Sequence, residues 1–287
     1  MTNLFGTKNM LKSGVCKQQE LESRRFQKAC DRLKVPMWFN NYAKANNIYI
    51  PEGILHRKSW EYAFITIALS ERGMLKRNKK GLGFAVGTEP LPAYFASRGC
   101  NILATDLGHG DADRWIETGQ NASRDIGILN ASKICSQRVF EKRIKYRDVD
   151  MNAIPDDFIG FDFCWSSCAI EHLGSLEKSK TFLKNMLRCL KPGGIAVHTT
   201  EYNLSSDDET ITEGDSVIFR KKDVLEIAEW LKDNGHSIEL DLTLGDKEGD
   251  LFVDQPPYYQ LNPKYHLRLN ICGYVCTSFG FIISKGL

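Results

Sequence analysis

The stretch that most constrains this chain is GLGFAVGTEPLPAYFASRGCNILATD, from Gly81 to Asp106. It reads as a strand, a glycine-containing turn, an amphipathic helix opened by Pro90, a small-residue exit, and a second strand ending in a carboxylate. In a doubly wound α/β sheet this order builds a nucleotide-type pocket. The turn backbone passes close to the ligand, and an acid at the tip of the second strand accepts hydrogen bonds from ribose hydroxyls. Asp106 follows Gly87 at close to the ~20-residue spacing that the geometry requires.

The rest of the chain extends the alternation. Residues 1 to 75 read as a helical N-terminal cap, with an amphipathic segment from Lys17 to Leu33. An apolar helix from Trp60 to Leu69 has Ser59 as its expected N-cap. Beyond the opening run, strands are expected at Arg143–Val149, Phe161–Ser166 and Ile195–Thr200. Helices are expected at Arg114–Ile134, Leu176–Leu190 and Val224–Asn234. Two late strands, Ser237–Leu242 and Tyr274–Ser284, close the chain. The pattern predicts a mostly parallel, doubly wound sheet with an antiparallel last strand. Residues 76–203 form its core, and residues 204–287 supply the last elements and loops that cap a substrate.

Composition narrows the partners. Lys plus Arg number 38 against 36 Asp plus Glu, a net charge of +2, which gives no electrostatic footprint for nucleic acid. The clusters Lys76–Lys80 and Arg220–Lys222 read as solvated element ends. Nine cysteines without a CxxC pair fit neither a disulfide framework nor a zinc ribbon. They read as buried free thiols of a reducing compartment. No apolar run reaches the ~18 residues of a membrane span, and the N-terminus lacks a secretory pattern. The expectation is a soluble, cytoplasmic protein of unassigned oligomeric state.

Ligands of such sheets bind beyond the carboxyl ends of the strands. Four features fall there: Gly83-Phe84-Ala85-Val86-Gly87-Thr88-Glu89; Asp106; Asp148-Val149-Asp150-Met151; and Phe161-Asp162-Phe163-Cys164-Trp165-Ser166-Ser167, running into Glu171-His172-Leu173. Leu190-Lys191-Pro192-Gly193-Gly194 then precedes the fifth strand. Together these resemble the class I S-adenosylmethionine (SAM)-dependent methyltransferases over residues 80 to 203. Two segments, GFAVGTEPLPAYFASRGCNILATDL and HTTEYNLSSDDET, look like methyltransferases of surface-polysaccharide gene clusters.

The resemblance implies a Rossmann-like fold with SAM as cofactor. It places the methionine end of SAM over Gly83, Ala85 and Gly87, the ribose on Asp106 and the adenine at Asp150 and Met151. In that family an acid usually stands where this chain has Gly83, so Glu89 or the region of Ser166 is expected to receive the ligand ammonium. A nicotinamide cofactor is disfavoured by the missing third glycine.

A hydroxyl acceptor benefits from a general base, and His172 is the candidate, with Glu201 as its alternative. The acceptor is expected to meet Trp60, Glu61, Tyr202, Asn203 and the loop carrying Asp254, Tyr258, Tyr259, His266 and Arg268. Aromatic faces with carboxylate and amide edges suit a sugar or glycan, and also a small phenol. An N-methyltransferase and a catalytically silent partner subunit remain alternatives. His198 reads as a core histidine. The spacing of His172, Glu201, Asp208 and His236 makes no metal site converge.

Overall fold

The computed structural model describes residues 10–287, apart from positions 109, 111, 119, 123 and 124. The N-terminal stretch read for a secretory pattern lies largely outside them, as do His109 and Asp111. In chain order the main elements are β1 (Ser13–Val15), α1 (Arg24–Leu33), α2 (Val35–Ala45), α3 (Arg57–Glu71), β2 (Lys80–Gly83), α4 (Leu91–Ser97) and β3 (Asn101–Asp106). There follow α5 (Gln137–Arg143), β4 (Ile144–Asp148), β5 (Phe161–Ser167), α6 (Leu176–Asn185), β6 (Leu190–Asn203), α7 (Lys221–Asp233), β7 (Arg268–Ile271) and β8 (Tyr274–Ser284).

The sheet runs β7-β8-β6-β5-β2-β3-β4. From β6 to β4 all pairs are parallel, whereas β8 is antiparallel to both β6 and β7. This is the expected mixed α/β fold. Strand order reverses between β2 and β5, and a crevice opens at such a switch point.

The Leu190–Gly194 turn is absorbed into β6. Pairing jumps from Phe161↔Leu190 to Phe163↔Ile195, so the Pro-Gly-Gly residues bulge out of the ladder, with Gly193 at φ 72°. The FD motif anchors that end of the sheet. Asp162 accepts from the Lys80 amide (2.8 Å) and from Lys79 and Lys191 Nζ (both 3.0 Å).

Four expectations are corrected. The N-terminal segment is not wholly helical, because Ser13–Val15 pair with β8. The helix expected over Arg114–Ile134 is instead a short helix, Asp113–Glu117, and a 3₁₀ turn, Ile126–Asn130. The side chains of Asn121, Asp125 and Asn130 bond backbone groups and compete with helix. In addition, α3 begins earlier than Ser59, and the ring of His56 caps it by accepting from the Lys58 amide at 2.9 Å. All nine cysteines are free, and Cys272 is exposed rather than buried. No helix among the described residues is long and apolar enough to cross a membrane.

α3 lies against β6 and β8, buried along most of its length. Its Phe64 ring occupies the space that a side chain at Gly280 of β8 would need. Gly280→Ala should therefore cost about 1–3 kcal/mol by overpacking, read as a lower urea midpoint at unchanged slope. A shift near zero would show that the Phe64 ring yields freely.

Candidate functional site

A cleft of about 600 Å³ opens at the carboxyl ends of the strands. One end is lined by residues at or just beyond the tips of β2, β3, β4 and β5: Ala85, Asp106, Asp150, Met151, Ala169 and His172. The other end is lined by segments from outside the core. These include His56, Arg57 and Tyr62 around α3, and Tyr258, Tyr259 and His266 before β7.

The turn after β2 owes its shape to two left-handed residues, Ala85 (φ 46°) and Gly87 (φ 53°). A side chain at Gly87 would meet the Gln120 carbonyl at 2.8 Å, so the position is restricted to glycine twice over. Asp106 accepts from the Gly87 amide (2.8 Å) and the Leu107 amide (2.9 Å), clamping the turn to the tip of β3. Burial raises its pKa to about 6 against those two bonds. Gly83 is glycine for a different reason, since a Cβ there would collide with Trp165. The Trp165 indole N–H in turn donates to Glu89 (2.5 Å), a buried carboxyl that desolvation lifts to about 8. Asp150 is exposed and caps the Asn152 amide (2.8 Å), and Met151 packs beside it.

His172 reaches the cleft as expected. Its Nδ1 donates to the Asp215 carbonyl (2.7 Å), and its ring lies 4.7 Å from that of Trp115. His266 and Tyr258 also reach it. Several other candidates lie elsewhere. Ser166 is fully buried with its hydroxyl on His198 (2.8 Å), while the following Ser167 and Cys168 face the cleft. His198 is the expected core histidine, lowered by burial to about 3. Trp60 donates to Glu20 (2.6 Å) and lines a separate cavity of about 360 Å³. Tyr202 stacks on Phe279 in the core, Asn203 ties down the Ser205–Thr210 loop, and Arg268 bonds the Gly245 carbonyl. A strand presents alternate faces, so adjacency in sequence to the cleft placed these side chains behind it.

Beneath the outer end lies a charged cluster. Glu61 is fully buried and accepts from Lys58 (2.7 Å), Ser278 (2.6 Å) and Ser167 (3.0 Å). Burial alone would raise its pKa, but Lys58 and Arg57 hold it at about 2. Arg57 also meets Glu201 at 2.6 Å, leaving Glu201 Oε2 buried without a partner among the described residues. Desolvation raises the Glu201 pKa against Arg57. Cys168, Glu171 and Glu201 come close enough to share an ion, yet Arg57 already holds Glu201 and lies 3.9 Å from Cys168 Sγ. Sequence reasoning missed Arg57 and the aromatic wall of Trp38, Tyr42 and Tyr62. The available signal was the Arg57/Glu61 pair at helical i,i+4 spacing.

A switch-point cleft with a clamped glycine turn and an acid at the second strand tip is the cofactor site of class I SAM-dependent methyltransferases. Residues 82–198 match the family model described as Methyltransferase domain. That part of the chain is a methyltransferase domain of this superfamily, whose methyl donor is SAM.

Among curated proteins it is similar to a malonyl-[acyl-carrier protein] O-methyltransferase of Salmonella typhimurium, 29% identical over 103 residues. The match covers 35% of this chain and spans 38% of that protein's length. In fold it is similar to a putative sarcosine dimethylglycine methyltransferase from Galdieria sulphuraria. There the TM-score is 0.51 at 15% identity, covering 89% of this chain and 98% of that one. It is likewise similar to the [4+2]-cyclase SpnF, with TM-score 0.50, 14% identity and coverage of 96% and 100%.

Glu89 and Asp106 both have raised pKa values, so the folded protein holds protons there that the unfolded chain has released. Stability should fall as pH rises from about 4 to about 8. Glu89→Gln keeps an acceptor for Trp165 and removes the buried charge. It should raise stability above pH 8 by about 1 kcal/mol or more. Thermal unfolding of both proteins from pH 5 to 9 checks this, and parallel curves would refute it.

Proposed function

We propose that the protein transfers a methyl group from SAM to a hydroxyl of a small acceptor, a sugar or glycan of surface-polysaccharide type being the leading class. The observation that carries the reading is the division of the cleft. Its inner end has the clamped turn, Asp106 and Met151, and its outer end has aromatic faces interleaved with histidine and arginine. Rings stack on sugar C–H faces or on a phenol, and the polar edges take hydroxyls.

The inner end fits SAM. Asp106 keeps lone pairs for ribose hydroxyls beyond the Gly87 and Leu107 amides and the Asn121 side chain, and Ala85 and Gly87 leave the turn backbone open to the cleft. Gly83 stands where the superfamily usually has an acid, and the Trp165 ring fills the space of a side chain there. The buried Glu89 is bonded to Trp165 and does not line the cleft, so the ligand ammonium falls to the loop after Ser166, where Ser167 and Cys168 do. When bound, SAM supplies an electrophilic methyl on a sulfonium. This chain's residues hold the acceptor in line, exclude water and take up its proton.

A catalytically silent partner subunit is the second reading, since a fold does not by itself fix an activity. Calorimetry separates the two. SAM and S-adenosylhomocysteine should bind and NAD should not, whereas a silent partner subunit binds none of them. Asp106→Ala should weaken SAM binding about tenfold or more, because charge-assisted bonds contribute about 1.5–3 kcal/mol each. Unchanged affinity with the fold intact would remove the ribose assignment. A screen of nucleotide-sugars, glycans and phenols for methyl transfer then identifies the acceptor.

A further inference from the structure

Three histidines, His56, His172 and His266, face the cleft with Nδ1 committed to a partner, and among the described residues only His266 is backed by a carboxylate. His266 Nδ1 lies 2.7 Å from Asp254 Oδ2, which also accepts from the Tyr259 amide at 3.1 Å. Asp254 is fully buried and joins a short strand, Val253–Asp254, to β7. A carboxylate can only accept, so the His266 proton sits on Nδ1 and Nε2 offers a lone pair.

His56 has the opposite polarity. Its Nδ1 accepts from the Lys58 amide (2.9 Å), so its Nε2–H donates to the Tyr259 hydroxyl (3.2 Å). That leaves the Tyr259 proton to donate onward. The three rings are packed together, with centroids 4.4 Å apart for His56 and His266 and 4.5 Å for Tyr259 and His266. The outer end of the cleft thus presents a proton acceptor beside a hydroxyl donor, and together they are complementary to one O–H group.

We propose that His266 is the general base for the acceptor hydroxyl, with Asp254 as its positioning residue and Tyr259 as donor to the oxygen as charge develops. This rests on the hydroxyl-acceptor reading above. The acceptor O–H bond breaks to His266 Nε2 as the oxygen bonds the methyl carbon. The C–S electron pair stays on sulfur as a thioether, and the proton leaves later from the imidazolium.

Two observations support it. Asp254 Oδ1 is buried with no partner among the described residues, so the carboxylate carries charge that its two donors leave uncompensated. An imidazolium at His266 supplies the compensation. Burial also keeps His266 neutral, lowering it to about 4 against the pull of Asp254, with Arg57 and Glu61 as the further charges that act on it and the His56 ring tilted against it. Among the described residues His172 has only a backbone carbonyl behind it and lies against Trp115, while Glu201 is held by Arg57.

The first test needs no acceptor. ¹⁵N NMR of imidazole-labelled protein with S-adenosylhomocysteine bound, assigned with His266→Gln, should show Nδ1 protonated and Nε2 bare at pH 7. Asp254→Asn should shift that tautomer toward Nε2–H. A protonated Nε2 in the parent protein, or a tautomer indifferent to Asp254→Asn, overturns the proposal.

The second test measures methyl transfer to phenol and to the more acidic 4-nitrophenol. His266→Gln should lose about 10²–10⁴-fold in kcat with phenol and distinctly less with 4-nitrophenol, while His172→Gln should lose less than tenfold. Equal losses on the two phenols, or a larger loss in His172→Gln, overturn it. Parent protein that binds SAM but methylates neither phenol removes phenols as the acceptor class, and the tautomer then decides His266 alone.

Discussion

The outer half of the cleft depends on the buried carboxylate of Glu61. This side chain, on α3, reaches Ser167 at the end of β5 and Ser278 in β8, while Lys58 and Arg57 neutralise it from its own helix. Arg57 continues to Glu201 in β6. A lone buried charge would be prohibitive, and such a cluster holds only because each member has its counter-charge and its hydrogen bonds. Its net contribution to stability is small for the same reason. What it supplies is position, because the N-terminal helix can meet three strands in only one register.

That registration explains how two ends of one cleft are built so differently. The inner end is local, and each of its residues lies within a few positions of a strand tip. The outer end is assembled across the chain, with His56 capping α3 and the pair Tyr265–His266 aligned parallel to Leu55–His56. Trp38 of α2 adds a further tie by donating to the Thr88 carbonyl just after the glycine turn (2.8 Å). Movement of α2 or α3 would therefore be felt at the turn and at the histidine pair together.

The electrostatics obey the same division. Asp106 and Glu89, with burial opposed by few donors, sit above their ordinary carboxyl values. Glu61, with two cations against it, sits below. Carboxyls of comparable burial thus differ in charge state because of their neighbours, which is the usual physical mark of a binding site.

The strand–turn–strand run from Gly81 to Asp106 and the alternation downstream of it determined the fold class, because hydrophobic period and glycine placement are local properties of the chain. The turn at Ala85 and Gly87 and the strand tip at Asp106 were legible as structure for that reason. The outer end of the cleft was legible only in part. His266 and Tyr258 were named from composition, but Tyr202, Asn203 and Ser166 were assigned to the wrong face, since strand pleat and the bulge at Pro192–Gly194 decide which neighbours point outward. The helix expected after Arg114 failed where asparagine and aspartate side chains found backbone partners. The pairing of His56 with Tyr259, of His266 with Asp254 and of Arg57 with Glu201 spans distances along the chain that no pattern encodes. Only the tertiary structure, by packing α2 and α3 against the carboxyl edge of the sheet, decided which charged and aromatic groups face the cleft.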